Sequence, residues 1–212
     1  DPYTGTCNAL NANSWWQNQN PYWEPAVVRV MTHRTRPSLT GYNGNSNFCR
    51  TGEAKNARAD FAPNDSIYFG VAMRDYQLNQ SFTITVFDPV GGRWFTETNN
   101  NTNAPIAKRY FVYDRRLPGN AASGTYRVVV NFNGINNVHF FSVNCPPTLN
   151  VTGAIAGHQG FKASSQVTST ATINAGNRLF LQAGSRIVLS PGFAARDGSG
   201  LKARIRDCNF SE

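Results

Sequence analysis

Between residues 25 and 145, apolar and polar residues alternate in short runs divided by turn-forming residues. PAVVRVMT, DSIYFGVAM, SFTITVFD, RWFTET, KRYFVYD, TYRVVVNF and NVHFFSV are rich in β-branched and aromatic residues. Such residues fit a pleated, half-buried surface. From 125 to 132, Tyr126, Val128, Val130 and Phe132 fall on one face, and Thr125, Arg127, Val129 and Asn131 on the other. That two-residue period predicts a strand with one face in a core. DPVGG, LPGNAASG and NGINN mark turns, and Asn133-Gly134 predicts a hairpin between the last two runs. Strands this numerous and short predict an all-β fold: an immunoglobulin-like antiparallel β-sandwich over 25–145. The Cys–Trp–Cys pattern of antibody domains is absent. Trp94, just after a turn, is read as a core residue.

A different period follows. INAGNRLFLQAGSRIVLSPGF, residues 173–193, places Gly176, Gly184 and Gly192 eight residues apart. Ile173, Leu181 and Leu189 share that step, as do Leu179 with Ile187 and Arg178 with Arg186. Glycine supplies the positive φ that a tight corner requires. The expectation is short strands turned at the glycines, with Leu179, Leu181, Ile187 and Leu189 inward and stacked across neighbouring rungs. This predicts a small β-solenoid or a stack of hairpins over 146–212. Cys145-Pro146-Pro147 marks the boundary, where proline stiffens a linker.

Residues 1–24 show no period and are read as an irregular aromatic arm. Trp15, Trp16, Tyr22 and Trp23 cluster within nine residues of it. Flat rings on a loop can stack on sugars, and neighbouring Asn and Gln can bond hydroxyls. The favoured reading is that these rings plug one end of the sandwich or pack on an absent catalytic domain.

Composition narrows the setting. Of 212 residues, 40% are hydrophobic and 15% charged, so a core is affordable on a surface rich in amides and hydroxyls. No apolar run reaches the roughly 20 residues of a membrane span. The chain opens on DPYTG without a signal peptide and reads as a mature or trimmed product. Cys7, Cys49, Cys145 and Cys208 form no CxxC pair. An even, widely spaced set predicts two disulfides, Cys7–Cys49 and Cys145–Cys208, in an oxidising compartment. The chain is therefore expected to be secreted, extracellular or displayed on a cell surface. The net charge is +8, and 16 of the 20 basic residues are arginine. That suits adhesion to anionic walls or polymers. The charge is spread rather than clustered, so nucleic acid is not an expected partner.

Catalytic patterns are missing from the sequence. There is no GxSxG, GxGxxG or Walker loop. Asp60 and Asp65 could approach one another, but Asp65 stands in the turn-like PNDS. Asp197-Gly198 reads as a solvated turn rather than a calcium loop. No catalytic residue, metal ligand or cofactor site is assigned.

Two stretches carry a resemblance. DPYTGTCNALNANSWWQNQNPYWEP, with APNDSIYFG and SGTYRVVVNFNG, resembles the region after the catalytic domain of secreted lysostaphin-type zinc endopeptidases of Bacteroidetes-like bacteria. LQAGSRIVLSPGFAARDGSGLKARIRDC resembles the three-coathanger stack module of secreted proteins from the same bacteria. The peptidases bind zinc through HxxxD and HxH stretches. Here His33, His139 and His158 stand in neither spacing; His139 reads as a strand residue and His158 as a loop residue. The resemblance thus implies an accessory region without the catalytic part. Its expected role is to position a partner domain on peptidoglycan or a surface polysaccharide. The alternative is a self-associating element of a fibre or adhesin.

Overall fold

The computed structural model describes residues 24–37, 56–102 and 105–209, and these form an all-β protein. The first part is built from β1 (Ala26–His33), β2 (Asp60–Phe61), β3 (Ser66–Tyr76), β4 (Ser81–Phe87), β5 (Arg93–Asn100), β6 (Ile106–Arg116), β7 (Gly124–Phe132) and β8 (Ile135–Val143). Each of the seven apolar runs is a strand. The two-residue β2, which pairs parallel with β8, was not foreseen. One sheet has the order β1-β3-β6 and the other β2-β8-β7-β4-β5.

The alternation holds in β7. Tyr126, Val128, Val130 and Phe132 are buried in the core, whereas Asn131 is exposed. They meet Ile67, Phe69, Val71 and Met73 of β3 in a single apolar cluster, so the two sheets pack face to face. Rings interlock at its centre. Phe141 stacks on Tyr126 at 5.0 Å and meets Phe69 edge-on at 5.8 Å. Trp94 is partly buried against Phe69 and Tyr126, as a core residue should be. The β7–β8 hairpin turns at Asn133 and Gly134, both with positive φ. Two successive positive values match the right-handed strand twist.

The second part is a parallel coil. Its strands are β9 (Thr148–Val151), β10 (Ala154–Ile155), β11 (His158–Ala163), β12 (Gln166–Ser169), β13 (Thr172–Ile173), β14 (Arg178–Ala183), β15 (Arg186–Leu189), β16 (Ala194–Ala195) and β17 (Gly200–Ile205). They form three short sheets, ordered β9-β12-β15, β10-β13-β16 and β11-β14-β17, all parallel. This is a solenoid of three coils with three strands each, which removes the stacked-hairpin alternative.

The eight-residue step needs a correction. Thr148 pairs with Gln166 and Gln166 with Arg186, while Arg178 pairs with Gly200. One coil therefore takes 18 to 22 residues. The glycines stand at successive corners of one coil, and the step of eight is one side of it. Leu181 accordingly stacks on Phe161 and Ala203, not on Leu189. Leu179 and Leu181 are buried as expected and Ile187 is half-buried. Leu189 shares a ladder with buried Val151 and Ser169, yet is 45% exposed because β15 ends its sheet.

The glycines also differ in purpose. Gly176 and Gly192 have φ of 76° and 98°. Gly184 is not in that region; a Cβ there would lie 2.0 Å from the carbonyl oxygen of Ser164 in the preceding coil. Its role is close approach of two corners.

Candidate functional site

The solenoid does not hang from a free linker. The backbone N–H of Ser164 donates to the carbonyl of Pro146, and those of Ser165 and Gln166 to that of Pro147. Cys145, at the end of the sandwich, is disulfide-bonded to Cys208 beyond the last coil. Asp60 helps hold this junction: its Oδ1 accepts from the Ser142 hydroxyl at 2.8 Å and from the Cys145 N–H at 3.3 Å.

The outer face of the β11-β14-β17 sheet packs on the outer face of β7 and β8. Phe140 and Phe180 stack at 5.6 Å, with 6° between their planes. Gly160 leaves room for this, since a Cβ there would lie 2.6 Å from the Phe140 ring. Thr125 Oγ1 accepts from the Lys162 N–H at 3.0 Å. The Arg127 guanidinium lies 4.6 Å over the Phe87 ring and donates to the His158 carbonyl at 2.8 Å. Burial lowers the pKa of Arg127.

Beside this contact lies a cleft of about 470 Å³. One wall is Asn136 to Phe140 of β8, and the other comes from β11, β14, β17 and the turn before β17. Parallel pairing lays the outer-face residues out as a grid. His158, Arg178 and Gly200 form one row; Gly160, Phe180 and Lys202 the next; Lys162, Gln182 and Arg204 the third. Neighbours in a row are about 4.8 Å apart, and successive rows about 6.6 Å apart. Lysine, arginine and histidine line the cleft, and no Asp or Glu among the described residues does.

The deeper polar groups are fixed. Lys162 is 2% exposed and Gln182 fully buried. Gln182 donates through Nε2 to the Asp207 carbonyl, and its Oε1 has no protein partner. His139 is buried, with Nε2 3.1 Å from Thr32 Oγ1. The Thr32 hydroxyl already donates to the Arg58 carbonyl at 2.6 Å. His139 must therefore donate from Nε2, which sets its neutral tautomer. Burial, then the charge of Lys162, pushes its pKa down to about 3. Burial, then Arg178 and Arg127, lowers that of His158. The site favours a negative guest.

The residues singled out in the sequence distribute unevenly over this picture. Trp15, Trp16, Tyr22 and Trp23, together with Cys7 and Cys49, lie outside the described residues. The Cys145–Cys208 pairing is present. His158 opens β11 instead of standing in a loop, because its strand pairs with Arg178 in the next coil. Asp65 closes its turn by accepting from the Ala62 N–H at 2.9 Å, and Asp197 accepts from the Gly198 N–H. No cluster of three metal-ligating side chains occurs among the described residues, nor is any helix long and apolar enough to cross a membrane.

Sequence reasoning missed the cleft residues. Their signal was RLFLQA, whose outward-facing Phe180 and Gln182 are buried along with the inward Leu179, Leu181 and Ala183, five of its six positions. A solenoid side facing water alternates, so a doubly buried one implies a docked neighbour. No model of a known protein family and no curated protein matches this chain.

Proposed function

We propose that this chain is a non-catalytic, secreted binding region that holds a partner domain on a cell wall or other extracellular surface. The carrying observation is the stacked Phe140–Phe180 junction, which fixes sandwich and solenoid as the two walls of one basic cleft. Fixed walls spend little of the contact energy on ordering the site. The Cys145–Cys208 bridge supports an oxidising compartment. The order β1-β3-β6 facing β2-β8-β7-β4-β5 supports an immunoglobulin-like sandwich, and the three-coil solenoid is compatible with the three-coathanger resemblance. In this reading the chain is the accessory part of a zinc-peptidase-like polypeptide. Trp15, Trp16, Tyr22 and Trp23 add flat rings for sugar faces. Cosedimentation with purified sacculi and with insoluble surface polysaccharide tests it. Retention in the pellet is expected, and a chain that stays in the supernatant with every such material overturns it.

A second reading, self-association into a fibre or adhesive layer, has one observation in its favour. The last coil leaves β15, β16 and β17 as open edges, with Leu201 38% and Ile205 52% exposed. Open edges invite pairing. Arg186, Arg196, Lys202, Arg204 and Arg206 stand on or beside that coil, so two such ends repel. Light scattering at rising concentration separates the readings: monomers favour the first and growing polymers the second.

A further inference from the structure

We propose that the cleft between β8 and the β11-β14-β17 sheet is the binding site for an acidic polysaccharide, a sugar chain bearing carboxylate, sulfate or phosphate groups. This deepens the surface-binding reading and rests on it.

The cleft supplies both kinds of contact that such a chain needs. Arg178 and Lys202 occupy adjacent strands and adjacent rows of the grid, so their charges fall on one stretch of wall. Guanidinium grips a planar carboxylate or a phosphate in two-pronged fashion, and ammonium adds a compact charge. Asn136, Asn137 and Gln159 line the same space with amides that both donate and accept, as sugar hydroxyls do. Lys162, nearly buried, lies beneath this wall as a further cation. No carboxylate among the described residues opposes an anion in the cleft.

The geometry disfavours single-stranded nucleic acid. That ligand is held by aromatic faces on which bases stack. Here Phe180 gives a face to Phe140 and is itself buried. The polar part of the lining consists of amides, cations, two histidines and Ser199, with no further Phe, Tyr or Trp ring among the described residues.

The test uses the full chain and calorimetric titration with an oligogalacturonate hexamer, a sulfated oligosaccharide, a neutral glucan hexamer, inorganic phosphate and a single-stranded oligonucleotide. One or both acidic oligosaccharides should bind, and which one does identifies the anionic group. Inorganic phosphate binding tighter than both acidic hexamers, with the neutral glucan at least tenfold weaker, assigns the group to phosphate. The double variant R178Q/K202Q should weaken acidic binding at least tenfold and reduce its salt slope by about two. The variant R36Q/R93Q loses the same charge at exposed positions outside the cleft and should stay within twofold of the parent. Four titration results overturn the proposal: neutral glucan binding as tightly as the acidic chains, equal losses in the two variants, the oligonucleotide binding tightest, or no binding of any anion. Surface cosedimentation that survives R178Q/K202Q sinks the cleft and leaves surface binding standing. Cleft binding of acidic hexamers without cosedimentation does the reverse.

Discussion

Phe140 of the sandwich and Phe180 of the solenoid lie nearly parallel, 5.6 Å apart, so each part covers an aromatic ring that the other would leave in water. Phe180→Ala should lower stability by about 3 kcal/mol, mostly through lost burial. Phe180→Leu should recover more than half. Gly160→Val should act like Phe180→Ala, because its side chain enters the space of the Phe140 ring. Calorimetric unfolding checks this: the parent should melt in one transition and the Ala and Val variants in two. A single unshifted transition would mean that the stack contributes little.

The Cys145–Cys208 bridge spans a sequence separation of 63 residues and encloses the whole solenoid. On chain-entropy grounds it should contribute about 4 kcal/mol. The C145S/C208S variant should shift the urea midpoint accordingly while β-sheet circular dichroism in buffer is kept. An unchanged midpoint would place the stability of the junction in its non-covalent contacts: the Phe140–Phe180 stack and the hydrogen bonds of Pro146, Pro147, Thr125 and Arg127.

Two corner glycines should respond differently to alanine. At Gly184 the added methyl meets the backbone oxygen of Ser164, which cannot move aside without separating two coils. At Gly176 nothing lies within 4 Å, and only the positive φ resists. Gly176→Ala should cost about 1 kcal/mol, and Gly184→Ala at least twice that. Equal midpoints for the two variants would contradict this assignment.

Acid should weaken the fold through His139. Its pKa falls from the ordinary 6.5 to about 3 in the folded chain, chiefly by burial. Above pH 6.5 it is neutral in both states, and its stabilisation is complete. Between 6.5 and 3 the unfolded chain binds a proton that the folded chain does not, so stability falls as pH falls. The slope approaches 1.4 kcal/mol per pH unit, or about 2 kcal/mol lost by pH 5. His139→Gln keeps a donor for Thr32 and removes the titration. Its unfolding free energy should depend less on pH than the parent's between 7 and 5, by that amount. Parallel curves for the two would refute the assignment.

Much of the architecture was legible in the chain. Where one face of a strand meets a core and the other meets water, the residues must alternate, and β7 alternates. Asn133-Gly134 tolerates positive φ twice in succession, so the hairpin could be placed. The glycine step showed that the C-terminal part turns at regular intervals. It could not distinguish a side of a coil from a whole coil, because both repeat the same corner chemistry. The coil length is set by which strands pair, and pairing joins residues some 20 positions apart.

Read along the chain alone, the residues specify the all-β class, the seven sandwich strands, the main hairpin and the Cys145–Cys208 partnership. Each depends on local periodicity, turn residues or a covalent pairing with few alternatives. The parallel three-coil winding, the docking of Phe180 on Phe140 and the gathering of Arg178, Lys202 and Asn137 around one cleft emerge only on folding. These come from surfaces far apart in the chain whose fit depends on shape, and shape is not written in any short run of residues.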